Sequence, residues 1–367
     1  MKKLMLTTAI ASVLTTAAIA QTSITGELRI SYKDVTASRG LANNGTVGSS
    51  NDTSYGFGAE QQINIQTKGK LNIGGLDYAA GFSIENDGEQ TGTLFNENVY
   101  MDLSNAATGT TLSIGRDHIQ RSDTDFSATN LVGFTPNELS QTTNATAGGT
   151  WFNQNLGPAT SQAYGVALIQ KTPVGSFSYN WVPNNAKPAT FTSVAEVVAG
   201  ANVQGVASSE AVNPNTTAAY EYGFVGDLTV KGLQAHYFKS ANQDFAVTYA
   251  NGAVKAEAKN YGVKYNFGDF TVGANKKVYN AEAATLTETV EKAYAIAYAV
   301  NKDLSIGVIK ATADRSTSAI DHTVKGINLG YNLGPVALAA GYAKNSDAEG
   351  NAGADNDVFM IRLLGAF

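Results

Sequence analysis

Beyond its first twenty residues the chain alternates, run after run, between apolar and polar side chains. Ile24, Gly26, Leu28, Ile30 and Tyr32 share one parity, and Thr25, Glu27, Arg29, Ser31 and Lys33 share the other. Tyr55, Phe57, Ala59, Gln61, Ile63 and Ile65 repeat the pattern against Glu60, Gln62, Asn64 and Gln66. Leu76, Tyr78, Ala80, Phe82 and Ile84 repeat it again. Successive side chains of a strand point to opposite faces, so a period of two predicts strands and excludes helices as the main element. Composition agrees: 17 Tyr, 15 Phe and 37 Gly suit pleated surfaces and tight turns, and only 15% of the 367 residues are charged.

The runs are joined in two ways. Some pairs meet at very short turns rich in Gly, Asn, Asp and Pro, as at Gly268-Asp269, Asn301-Lys302-Asp303, Asn332 to Pro335 and Pro173 to Gly175. Others are separated by long polar stretches: 34–53, 86–93, 119–150, 184–217, 240–256, 278–289, 313–322 and 345–356. Eight long connections separating hairpins predict about 16 strands. The stretch 194–207 breaks the pattern and reads as either a short helix in a long loop or an extra pair of strands.

Short turns on one side and long loops on the other are the plan of a transmembrane antiparallel β-barrel. Tyrosines at the ends of the apolar face, such as Tyr32, Tyr55, Tyr164, Tyr261, Tyr294 and Tyr342, match interfacial aromatic belts. The opposite parity is rich in Gly, Ala, Ser, Thr, Asn and charges, which suits a wet lumen. After Ala20 there is no apolar run of the ~18 residues that a spanning helix needs. The expected fold is therefore all-β, one barrel over residues 21–367.

Residues 1–20 are expected to be a cleaved secretory signal peptide. Lys2 and Lys3 precede an apolar stretch, and Ala18-Ile19-Ala20 forms an A-x-A site. The 25 basic residues then lose two lysines and the 31 acids lose none, which leaves 23 against 31 and a net charge of −8. With no basic patch, nucleic acid is not an expected partner. There is no Cys, and His118, His236 and His322 are isolated in sequence, so no catalytic residue, cofactor or metal ligand is expected.

The short first strand 23–33, the segment Gly109-Thr110-Thr111-Leu112-Ser113-Ile114-Gly115-Arg116 and the terminal Phe367 resemble the Gram-negative general porins, the neisserial and betaproteobacterial type above all. The resemblance implies a homotrimeric outer-membrane channel for passive passage of ions and small hydrophilic solutes, with the third long loop folded into the pore. It implies contacts with outer-membrane lipid and lipopolysaccharide. It also implies that Phe367 is a signal read by the barrel-assembly machinery. The constriction would then draw on Arg29 and Arg116 from the wall and on Arg121, Asp123, Asp125 and Glu138 from the loop. Arg116 shares parity with Leu112 and Ile114, so its entry into the lumen requires a bulge or the onset of the loop. The rival readings are a solute-specific channel and an outer-membrane barrel enzyme. Two Trp residues are too few for an aromatic ladder, and Ser113 with His118 has no third partner for a triad.

Overall fold

The computed structural model of the chain describes residues 21–37, 40–41, 47–48, 53–71, 73–86, 95–116, 127–140, 152, 164–182, 195–198, 201–204, 219–228, 230–245, 254–282, 288–316, 318–350 and 352–367. Sixteen strands close into one antiparallel barrel. They are β1 Gln21–Ala37, β2 Thr53–Lys70, β3 Leu76–Asn86, β4 Phe95–Asn105, β5 Thr110–Arg116 and β6 Tyr164–Thr172. Then come β7 Gly175–Val182, β8 Ala219–Asp227, β9 Leu233–Phe245, β10 Val254–Phe267 and β11 Phe270–Glu282. The ring is completed by β12 Thr289–Ala299, β13 Leu304–Arg315, β14 His322–Asn332, β15 Val336–Ser346 and β16 Asn356–Ala366.

Each strand pairs with its sequence neighbours, and β1 closes on β16 from Glu27 opposite Ala366 to Ala37 opposite Asn356. Closure removes the free edge, whose unpaired amides would each cost several kcal/mol in lipid, a magnitude of about 4–8 kcal/mol on alkane transfer scales. The ladder continues past β16: the Phe367 N–H donates to the Gly26 carbonyl at 3.0 Å and the Gly26 N–H donates to the Phe367 carbonyl at 2.8 Å. The Phe367 ring lies over Gly26, where a Cβ would come within 2.4 Å of it. Any larger residue there would push the exposed ring aside.

One end of the barrel carries turns of two to five residues and the other carries connections of six to 47 residues. At the two-residue turn Gly268-Asp269, Gly268 takes a φ of +58°, the left-handed region that a side chain disfavours. Strands run further toward the long-loop end than the apolar runs alone predict: β9 extends to Phe245 and β11 to Glu282. Their extra residues mix polar Asn242 and Asn280 with Ala241 and Ala281, and these four still pair across the ladder. The stretch 194–207 contains a separate ribbon, Ala195–Val198 with Ala201–Gln204, outside the barrel sheet.

The barrel wears its apolar side chains outward. Ile24, Phe57, Ile114, Tyr179, Tyr294, Ile327 and Phe367 are all exposed, each on the outward parity. In water such a belt would drive aggregation, whereas against acyl chains it costs nothing. The inner face is not uniformly wet. Ala293, Ala311, Ala313, Val324, Ala343 and Val358 form a buried cluster with Phe134, Leu139 and Phe152, which come from the connection between β5 and β6. Small wall residues leave room for that connection.

Candidate functional site in the barrel lumen

Residues 127–140 belong to the connection between β5 and β6, yet they dock on the inward face of β11 and β14 to β16. In a ring of 16 strands these lie up to half a circumference away. The segment therefore crosses the bore. It contains one helical turn, α1, Pro136–Leu139. Thr135 caps it: its Oγ1 accepts from the Glu138 N–H at 3.2 Å, and Glu138 Oε2 accepts from the Thr135 N–H at 2.8 Å. This reciprocal pair is a capping box, legible as T-x-x-E in the sequence.

Three wall asparagines hold the backbone of the segment. Asn275 Oδ1 accepts from the Ala128 N–H at 3.3 Å, Asn328 Nδ2 donates to the Phe134 carbonyl at 2.9 Å, and Asn345 Nδ2 donates to the Leu139 carbonyl at 3.0 Å. Each satisfies a buried peptide group that a loop in this position would otherwise leave unpaired. Two wall glycines make room: a Cβ on Gly273 would meet the Ala128 carbonyl at 1.9 Å, and one on Gly341 would meet the Phe134 ring at 2.6 Å. Phe134 and Leu139 are 1% and 0% exposed.

The electrostatic contacts are equally specific. The Glu138 carboxylate pairs through Oε1 with Arg362 on β16, whose guanidinium also lies 4.7 Å from the centroid of the Phe134 ring. Arg362 Nε donates to Ser31 Oγ at 3.2 Å. Lys33 Nζ donates to the Glu138 carbonyl at 2.7 Å. One loop glutamate thus meets two wall cations, Arg362 through its carboxylate and Lys33 through its backbone carbonyl. On β1 and β2 a second group faces the lumen: Arg29 binds Glu60 at 2.5 Å and Glu27 at 3.1 Å. Further round the wall, Lys277 lies 3.8 Å from Glu291.

Of the residues expected at the constriction, the structure brings Glu138 onto the wall and places Arg29 on the inner face, but not against each other. Glu138 meets Arg362 and Lys33, neither of which had been singled out. Arg116 keeps the outward register. The β5–β6 ladder runs from Thr110 opposite Gln170 to Arg116 opposite Tyr164 without a shift, and its side chain lies outside the described residues. The register shifts fall instead between Gly81 and Ser83 and between Asn242 and Phe245. Arg121, Asp123 and Asp125 lie outside the described residues. Past the loop expected at 119–150, Phe152 packs in the lumen against His322, ring centroids 5.0 Å apart, and the next described strand opens at Tyr164. His322 also bonds Asn345 and His236 bonds Asn260, each at 3.1 Å. Among the described residues no group of three His, Asp or Glu could hold a metal ion.

A closed barrel with an apolar exterior and a polar bore narrowed by its own loop defines a transmembrane diffusion channel. The sequence places it in a family. The model for Gram-negative porins matches residues 7–362, and the chain belongs to that family, as an outer-membrane channel. No curated protein matches the sequence. Solved structures do. The anion-selective porin of Comamonas acidovorans superposes with a TM-score of 0.66 at 14% identity, covering 95% of this chain and 100% of that one. A loop L8 deletion mutant of OmpT, an outer membrane protein of Vibrio cholerae, gives 0.61 at 13% identity, over 95% and 99% of the two chains. A triple mutant of the Rhodopseudomonas blastica porin gives 0.57 at 16%, over 95% and 100%. At these identities the likeness speaks for the fold alone.

Proposed function

We propose that residues 127–140 form the narrowest section of a general diffusion pore, passing ions and small hydrophilic solutes down their gradients. The observation that carries this is the anchored crossing of the bore by a segment from the opposite wall. Size selection then follows from what the segment leaves open, and ion preference from Glu138, Arg362, Lys33 and the Arg29, Glu27, Glu60 group. Arg121, Asp123 and Asp125 belong to the same connection and join this set as candidates. Arg116, whose side chain lies outside the described residues, stays a candidate on the resemblance alone.

Liposome swelling with a graded series of sugars tests the reading. Small sugars should enter and larger ones should be excluded by size. Entry that depends on the identity of the sugar and not on its size would make the channel solute-specific instead.

The Arg29 group carries two carboxylates and one guanidinium. In Glu60→Gln it becomes neutral. A unit charge about 6 Å from an ion in water is worth ~0.7 kcal/mol, a factor of about 3 in occupancy. The reversal potential in a salt gradient should therefore move toward anions by about that ratio. A reversal potential identical to wild type would remove this group from the ion path.

Three further features complete the proposal. Residues 1–20 are removed as a signal peptide, a reading supported by Lys2 and Lys3, the apolar stretch that follows them and the Ala18-Ile19-Ala20 site. The protein assembles as a homotrimer in outer-membrane lipid, as a form of Vibrio cholerae OmpT described as a trimer does. Phe367 serves the barrel-assembly machinery, supported by its exposed ring beside the closing seam. Phe367→Ala should lower the yield of heat-modifiable barrel in cells several-fold. An unchanged yield would reduce Phe367 to a seam residue.

A further inference from the structure

Seven consecutive strands carry a lysine on the lipid-facing side. Lys239 on β9 faces Lys259 on β10, Lys276 on β11 faces Lys292 on β12, and Lys310, Lys325 and Lys344 face one another across β13, β14 and β15. On its strand each has an apolar or aromatic outward neighbour on the short-turn side: Tyr237, Tyr261, Ala274, Tyr294, Val308, Ile327 and Tyr342. At Lys310, Lys325 and Lys344 the apolar belt has ended: the next outward residues toward the long loops are Thr312, Thr323 and Ser346, on the outer-leaflet side of such a barrel.

Part of this row is internally compensated. Lys239 and Lys259 share Glu257 at 2.6 and 2.8 Å, and Lys276 sits over the Tyr261 ring at 6.0 Å. Lys310, Lys325 and Lys344 are exposed and make no ion pair among the described residues. Asp357, opposite Lys344, bonds Tyr342 instead. Like charges directly opposite one another destabilise a sheet, so three in a row call for an external anion. The same three lysines line a groove of about 520 Å³ on the outer wall, floored by Ile296, Val308, Ile327 and Tyr342. Cations beside an apolar groove match one kind of ligand, a phosphate headgroup with an acyl chain attached.

We propose that the outer wall across β12 to β15 binds a phosphate-bearing lipid of the outer leaflet, Lys310, Lys325 and Lys344 holding the phosphates and the groove receiving an acyl chain. The inference rests on the outer-membrane reading and adds a site to it. A juxtamembrane lysine contributes about 5-fold in affinity for an anionic headgroup, so three contribute about 100-fold.

The test titrates purified full-length protein in neutral detergent with diphosphoryl lipid A and with the same lipid dephosphorylated, and counts bound lipid by native mass spectrometry. Wild type should prefer the phosphorylated lipid, and the triple variant K310Q/K325Q/K344Q should lose about 100-fold in affinity for it. K302Q, at a short turn, should bind as wild type does. Equal binding of the two lipids, an unaffected triple variant, or an equal loss in K302Q would overturn the site. Displacement of the lipid by inorganic phosphate at matched concentration would reduce it to a simple anion site and overturn the lipid assignment. Single-channel conductance of the triple variant, with its barrel verified by heat modifiability, reads the channel separately and should match wild type.

Discussion

Phe134→Ala should widen the pore without unfolding the barrel. Phe134 is the largest buried side chain of the crossing segment, set between Gly341, Leu139 and the Arg362 guanidinium. Truncating a buried phenylalanine costs ~3–5 kcal/mol. A docked loop loses that stabilisation from its attachment alone, because the strands keep every ladder hydrogen bond. The segment should therefore spend much of its time off the wall. Single-channel currents should become larger and noisier, larger sugars should enter liposomes, and the barrel should melt as wild type does. Unchanged current steps and sugar cut-off would show that the segment does not limit the pore.

Arg362→Gln should shift ion preference toward cations by a factor of about 3, the worth of one unit charge ~6 Å from the ion path. The change removes the guanidinium that neutralises Glu138 and leaves Lys33, on the Glu138 carbonyl, as its other cation among the described residues. Arg362→Lys separates charge from geometry. It keeps the cation, so the reversal potential should stay near wild type. It loses the planar fork that stacks on Phe134 while also reaching Ser31, so the current noise should rise. A reversal potential that moves equally in both variants would make Arg362 a docking residue with no electrostatic part in permeation.

The wall of the barrel was legible from sequence because its rule is local. Ile24 to Tyr32 and Tyr261 to Phe267 each declare their face within one strand, and turns such as Gly268-Asp269 mark the hairpins. The strand number followed from counting them. The lumen was less legible because its contacts are distant: Glu138 and Arg362 are 224 residues apart. Nothing near Arg362 names Glu138 as its partner. A local signal did exist. On β16 the inward residues are Asn356, Val358, Met360, Arg362, Leu364 and Ala366, and the single charge among them marks a group held against something. The three asparagine anchors gave no such sign, since Asn is ordinary on a wet inner face. The alanines of β12 and β13 read as lumen lining, and they are in part a floor for Phe134 and Leu139. Arg116 was drawn toward the lumen by its place in a segment resembling porins, while its parity already pointed outward, and the uninterrupted β5–β6 register agrees with the parity.

The row of outward lysines was equally open to a reading of parity. Each follows the face set by its apolar neighbours, but lysines scattered through seven strands form a row only when cross-strand register aligns them. Register depends on turn length and closure, which alternation alone does not fix.

The central claim is an open aqueous path through a barrel that its own loop narrows. The most direct measurement is the current through single molecules of the purified protein in a planar bilayer. The account predicts stable, discrete openings that are present without any added ligand or energy source and that grow in Phe134→Ala. A correctly folded barrel that passes no current, in both wild type and Phe134→Ala, would contradict it.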